Sequence, residues 1–196
     1  QLAIANDHCC HQVVNLVAAL VAVRQPSRTD EVIRSKRAVR DFVKQPISSE
    51  IQLAILEAGR HAPSAMNRQP WNFLALTDPE KLEQLAEVSG HSGHLANAAF
   101  GVIVLIPEGH WPVFDSGQAS AYMQLAAWDH GIASCVGSFV DPAGARAILE
   151  FPEDLRPVCC LSFGYPPKEA EGPPRKGGRK PLNEIVHWNK WGATLP

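Results

Sequence analysis

The sequence predicts one α+β domain carrying a short N-terminal appendage. Three observations carry this expectation. The chain has 196 residues, about 1.3 times a common domain length. Its hydrophobic share is 45% and its charged share 19%. That balance excludes wholesale disorder, collagen-like repetition and coiled coil, and it supplies enough apolar side chains for a substantial core. Finally, helical and strand periodicities alternate along the chain without an internal repeat.

Residues 1–28 differ in character from the remainder of the chain. Their longest apolar run, Leu16 to Val23, is far short of the roughly 18–20 residues that span a bilayer. No Lys or Arg precedes Arg24, so the basic start of a secretory signal is missing. The cluster His8-Cys9-Cys10-His11 gathers metal-ligating side chains, but adjacent cysteines lack the spaced pairs of structural zinc sites. No metal is expected. The stretch is read as an extension of unknown role, at most a short helix, and residues 29–192 as the functional domain.

Within that domain, Ile51, Ala54, Ile55 and Ala58 mark one helix face, with a capping box at Ser49-Glu50-Ile51-Gln52 and a stop at Gly59. Asn72 to Thr77 reads as a strand and Glu80 to Val88 as a second helix. Phe100 to Ile106 (FGVIVLI) is a buried strand that ends at Pro107. Asp115 is expected to cap a long helix running to His130, facing inward through Ala119, Tyr122, Met123, Ala126 and Ala127 and closed by Gly131. Ile132 to Val136 is the next strand. Asp141-Pro142 opens a helix to Leu149, and Val158 to Tyr165 forms the last strand. Pro166 to Lys180, rich in proline and glycine, reads as a loop or arm. The apolar tail from Leu182 to Trp191 must bury itself somewhere, and a partner subunit is a reasonable host.

Charge is segregated. Arg34 to Lys44 carries a local +4, and Gly172 to Lys180 another +4, leaving −10 on the rest of a chain whose net charge is −2. Two short cationic stretches on an acidic background suit a compact anion. Nucleic acid asks for a broader basic face, so a small phosphate-bearing ligand is expected. Five cysteines without C-x-x-C spacing argue against a disulfide framework and for a reducing compartment, here the cytoplasm.

Four segments invite chemistry. Lys36, Arg37 and Arg40 lie within five residues around Ala38, and guanidinium forks match phosphate oxygens. A solvated helix face is the alternative. Pro63-Ser64-Ala65-Met66-Asn67-Arg68-Gln69-Pro70-Trp71 offers neutral donors and acceptors at Ser64, Asn67 and Gln69, suited to the edge of a polar ring. Trp71 itself reads as a core plug. Gly137-Ser138, at the end of a strand, lets backbone approach a flat ligand, although an ordinary turn would look the same. Gly177-Gly178-Arg179-Lys180 delivers two cations ahead of the tail, or serves as a solvated linker.

In this order and spacing the segments resemble the nitroreductase family of FMN-dependent oxidoreductases, over roughly Asp30 to Trp191. The resemblance also takes in Asp115-Ser116-Gly117-Gln118-Ala119, Gly164-Tyr165-Pro166 and Arg179-Lys180-Pro181-Leu182. It implies a mainly antiparallel central sheet flanked by helices and an intertwined homodimer with FMN at the subunit interface. It also implies FMN phosphate, ribityl and N1/O2 contacts from Lys36, Arg37 and Arg40 together with Arg179. Pro63, Ser64, Ala65 and Asn67, with Gln69 in the same motif, would approach from the other subunit, and Gly137 and Ser138 would lie near N5. Lys36 stands where the family has Arg, and Ala38 where it has Ser, which removes one phosphate hydrogen bond.

No Ser-His-Asp set, carboxylate pair or metal cluster stands out, so no protein residue is expected to act as a nucleophile; the flavin carries the chemistry. The implied cycle is ping-pong: NADH or NADPH reduces the flavin, and a small electron-poor acceptor (a nitroaromatic, quinone or activated alkene) reoxidises it. Nucleic acid and membrane are not expected as partners. Alternatives are a flavin- or nucleotide-binding module without turnover, or a specialised dehalogenating, flavin-fragmenting or heterocycle-oxidising member. Ser89 to Trp111 is too short for the elaborate lid of such members. The histidines read as surface or core residues, except that His91 and His94 sit in a loop that can border the ring. Cys159 and Cys160 read as strand packing.

Overall fold

The computed structural model describes residues 28–171 and 178–196. The extension expected over residues 1–28, with its Cys/His cluster, lies almost entirely outside them, as does most of the cationic stretch before Gly178. Two compact units are present, the first ending at Ser35 and the second running from Lys36 to Pro196. In the first, helix α1 (Arg28–Ser35) has Asp30 and Glu31 in its first turn and Arg34 in its last, charges that complement the helix dipole.

The second unit is built on four strands, β1 (Asn72–Leu76), β2 (Phe100–Pro107), β3 (Ala133–Gly137) and β4 (Leu155–Gly164), in the order β1-β2-β4-β3. Every pairing between them is antiparallel, as the resemblance implied. Alternate side chains point to opposite faces of a sheet, and here both faces are covered. Phe100, Val102, Val104, Leu161 and Phe163 meet α2 (Ser49–Arg60) and α4 (His110–Asp129) through Ile55, Ala119, Met123 and Ala127. Ile103, Leu105 and Cys160 meet α3 (Pro79–Ser89) and α5 (Pro142–Leu149) through Leu82, Leu85 and Ala145. The central strands β2 and β4 are therefore fixed from both sides, and β3 is left as an edge strand beside β4.

Four local expectations are corrected. Helix α2 is capped one residue earlier than expected, by Ser48, whose side chain accepts from the Ile51 N–H. Gly59 does not end that helix, which continues to Arg60; a Cβ there would lie 2.7 Å from Met123 Cγ, so the glycine is a point of close approach between α2 and α4. Asp115 is not the cap of α4. The helix starts at His110 and accommodates Pro112 in its first turn, which places Asp115 inside it and buried. Tyr122, expected inward, is 43% exposed, whereas Ala119, Met123 and Ala127 are fully buried as expected. The Asp141-Pro142 start of α5 holds: Asp141 Oδ1 accepts from the Gly144 N–H at 2.9 Å.

Past the arm, α6 (Leu182–Ile185) precedes a turn in which the rings of His187 and Trp191 lie 4.0 Å apart. Trp191 is 88% exposed. The packing at Gly59 is open to test. Helix propensity alone would let Gly59→Ala stabilise the chain by about 1 kcal/mol, but overpacking costs about 1–3 kcal/mol. Chemical denaturation should find the variant less stable than the parent; a gain in stability would show that Met123 moves aside freely.

Candidate functional site

The first part of the site is assembled on the edge of β3. Ala38 forms a parallel bridge to Ser134, and the Val39 N–H donates to the Ser134 carbonyl at 3.0 Å. Further along the same segment, the Val43 N–H donates to the Tyr165 carbonyl at 2.9 Å. Because Val39 is buried and Arg40 exposed, the segment presents Arg40 outward. Lys36 and Arg37 are half-buried. The Lys36 ammonium donates to Gln124 Oε1 on α4 at 2.7 Å, and Arg37 Nη1 donates to the Lys36 carbonyl at 3.1 Å.

Arg179, from the second cationic stretch, is near enough for its charge to act on Lys36. Burial pushes the Lys36 ammonium below its ordinary value; nearby Cys135 opposes this, and the like charge of Arg179 adds to it. Neither Lys36, Arg40 nor Arg179 pairs with a carboxylate of the described residues. Cations held together without a counter-charge repel one another. That donor set fits a compact anion such as a phosphate monoester.

Gly137 and Ser138 follow at the end of β3, resting on the Ser89–His94 loop. A Cβ on Gly137 would come within 2.7 Å of Ser92 Cβ, so glycine is needed for that contact. Ser92 Oγ donates to the Ser138 carbonyl at 3.1 Å, and the Val140 N–H donates to the Ser89 carbonyl at 3.2 Å. His94 is buried, its Nδ1 2.7 Å from Ser162 Oγ and its Nε2 without a hydrogen-bond partner among the described residues. Burial first, then the charge of Arg40, holds its pKa below the ordinary histidine value. His91, by contrast, is exposed.

Burial disfavours the thiolate form of the thiols nearby. Burial raises Cys135, against the opposing pull of Arg40 and Lys36. It pushes Cys160 up to about 12 and also raises Cys159. Protonated and enclosed, they pack the strands, as the sequence suggested for Cys159 and Cys160.

The second part of the site is a loop after α2. Ser64 leads into a single turn, Ala65–Asn67. Met66, Asn67 and Gln69 have φ of 52°, 54° and 47°, in the left-handed region. Ser64 Oγ accepts from the Gln69 N–H at 2.9 Å, and Gln69 Nε2 donates to Asn67 Oδ1 at 3.2 Å. Two ties hold the loop to α4: the Ala65 N–H lies 3.3 and 3.2 Å from the two carboxylate oxygens of Asp115, and Gln118 Nε2 donates to the Pro63 carbonyl at 3.3 Å. Trp71, buried behind the loop, stacks on Phe73 and is the core plug expected of it.

The two parts are attached to α4 at well-separated points. Lys36 is held at Gln124 and the loop at Asp115. With 3.6 residues per turn and a 1.5 Å rise, those positions lie about 13 Å apart along α4 and on opposite flanks. Between the flanks runs an outward stripe with Trp111, Phe114 and Tyr122, which are 60%, 58% and 43% exposed. Sequence reasoning found the cations and the polar loop. It missed Ser92, Gln124 and Ser162, which act through contacts distant in sequence, and it misread Asp115. Pro112 was the signal for the earlier helix start.

An anion at this site should restore the Lys36 proton. Without an anion, Lys36 deprotonates below the ordinary 10.5, so FMN affinity should fall as pH rises through that lowered value. Lys36→Arg keeps its charge and should carry the binding to higher pH. Identical alkaline profiles for the two proteins, measured by flavin fluorescence titration, would remove Lys36 from the anion site.

A model of the nitroreductase family matches residues 33–99 and 93–165. A putative NADH dehydrogenase/NAD(P)H nitroreductase of Methanothermobacter thermautotrophicus is 30% identical over 173 residues, covering 82% of this chain and 86% of its own. The NADPH-flavin oxidoreductase of Vibrio harveyi is 26% identical over 184 residues, covering 84% and 75%. Among solved structures, an FMN-dependent nitroreductase of Clostridium difficile shares the fold with a TM-score of 0.74, at 22% identity, over 82% of this chain and 98% of its own.

Proposed function

Because the chain belongs to the nitroreductase family, we infer that it is an NAD(P)H-dependent flavin oxidoreductase, with FMN bound between two copies of the chain. The observation that carries this reading is the half-buried Lys36, held by Gln124 near the edge of β3 with no carboxylate partner among the described residues and with the charge of Arg179 acting on it.

Lys36, Arg37 and Arg179 bind the phosphate and ribityl chain. Arg40 supplies positive charge beside the ring, where reduction places negative charge. Gly137 and Ser138, braced by Ser92, offer backbone at the strand end for close approach to a flat ring. FMN, when bound, supplies the redox chemistry, taking hydride from NADH or NADPH and passing it to a small electron-poor acceptor such as a nitroaromatic, quinone or activated alkene. Donor and acceptor occupy the site in turn, in a ping-pong cycle.

A homodimer completes the site. Pro63, Ser64, Ala65, Asn67 and Gln69 sit on the flank of α4 away from the cations, so the copy that supplies them is the other one. The outward stripe of Trp111, Phe114 and Tyr122 and the exposed apolar tail at Leu182, Ile185, Trp188 and Trp191 give that second copy an apolar face to cover. No helix among the described residues is long and apolar enough to cross a membrane. The free thiols of Cys135, Cys159 and Cys160 suit a reducing compartment such as the cytoplasm.

Purified protein should show flavin absorbance that bleaches when NADH or NADPH is added anaerobically. A colourless protein that takes up no added FMN would refute the reading. Bound flavin that neither nicotinamide bleaches would instead indicate a binding module. Arg40→Ala should weaken FMN binding by about 1.5–3 kcal/mol, the worth of a hydrogen bond to a charged group. An unchanged dissociation constant would take Arg40 out of the site.

A further inference from the structure

Asp115 is a carboxylate in the wrong place for a core residue. It lies inside α4, 3% exposed, and burying a charge is costly unless hydrogen bonds compensate. Both of its oxygens face one donor, the N–H of Ala65, at 3.3 and 3.2 Å. A small apolar residue would fill the position at lower cost, so the charge needs a purpose, and its contact lies at the head of the left-handed turn. Met66 and Gln69, on either side of the more tolerant Asn67, hold φ values that most side-chain-bearing residues avoid, and such a turn persists only where its surroundings over-determine it. The bonds from Gln69 to Ser64 and Asn67 close the loop on itself but do not aim it. The Gln118 bond to Pro63 is exposed. The Asp115 bond is better shielded from water and charge-assisted, which makes it the stronger of the two ties to α4.

We propose that Asp115 is a positioning residue whose buried carboxylate grips the Ala65 N–H and thereby sets the turn that presents Ser64 and Asn67 to the FMN of the second copy. The presentation rests on the proposed function; the grip does not.

The test uses Asp115→Ala and Asp115→Asn in the full chain, with two readouts. Without flavin, amide hydrogen exchange at Ala65 should accelerate at least about 10-fold in Asp115→Ala, while the α4 amides after Ala119 keep their protection. With flavin, the FMN dissociation constant should rise at least about 10-fold in the same variant. Asp115→Asn, which retains one acceptor oxygen, should bring both back to within about 3-fold of the parent. Ala65→Pro removes the donor on the loop rather than the acceptor in the core, and should weaken FMN as Asp115→Ala does, even if the latter fails to fold. Unchanged exchange at Ala65 in Asp115→Ala, or unchanged FMN affinity in Ala65→Pro, would overturn the proposal. A parent protein that binds no FMN would overturn the proposed function and the presentation role, leaving the exchange measurement to decide the grip.

Discussion

The Lys36 ammonium donates to Gln124 on α4 beside the edge of β3 where Ala38 bridges Ser134, and the placement of the cationic segment depends on those two ties. Burial lowers the Lys36 pKa, and the like charge of the exposed Arg179 adds a smaller push in the same direction. Lys36 is anchored from two sides. Lys36 is tied to Gln124 on α4 and to the strand edge through the neighbouring Val39–Ser134 bond, while Arg179 arrives from beyond the arm. An anion that relieves the repulsion gains affinity from a cost already met in folding.

What makes the edge of β3 a dependable platform is the two-sided burial of β2 and β4. Helices on both faces clamp the centre of the sheet, so β3 is fixed by its pairing with β4, and its exposed end is free to carry Gly137 and Ser138. The Ser89–His94 loop then works as a floor. Its buried serine and histidine bond to Ser138 and Ser162, which pins the strand end from below. Helix α4 divides the molecule's polar equipment in two, with the cations on one flank, the left-handed loop on the other and an apolar stripe between. A division of this kind has a physical resolution in two-fold symmetry, where the same patch on each copy completes the other's site.

Much of this was legible in the sequence. The run FGVIVLI could only be a buried strand, Asp141-Pro142 could hardly be other than a helix start, and the two charge clusters stood out against an acidic chain. The misread positions share one cause: most are decided by a residue far away in sequence. Gly59 looked like a helix stop because nothing nearby showed that Met123 would press against it. Asp115 looked like a cap because its true donor, Ala65, lies fifty residues upstream. Ser48 and Ser49 are equally good caps on paper, and the backbone chose the first. The bond from His94 to Ser162 is beyond local pattern, because it depends on the sheet register that sets Ser162 opposite.

The central claim, that one binding site draws its cations from one copy and its polar loop from the other, is tested most directly by subunit complementation. Arg40→Ala and Asn67→Ala homodimers, each weakened for FMN, would be mixed, allowed to exchange subunits and titrated with flavin. If the two halves come from different chains, each heterodimer regains one intact site, and about a quarter of all sites should recover parental affinity after random exchange. If both halves come from the same chain, every site in the mixture carries one defect. Mixing would then restore nothing, and the account would be wrong.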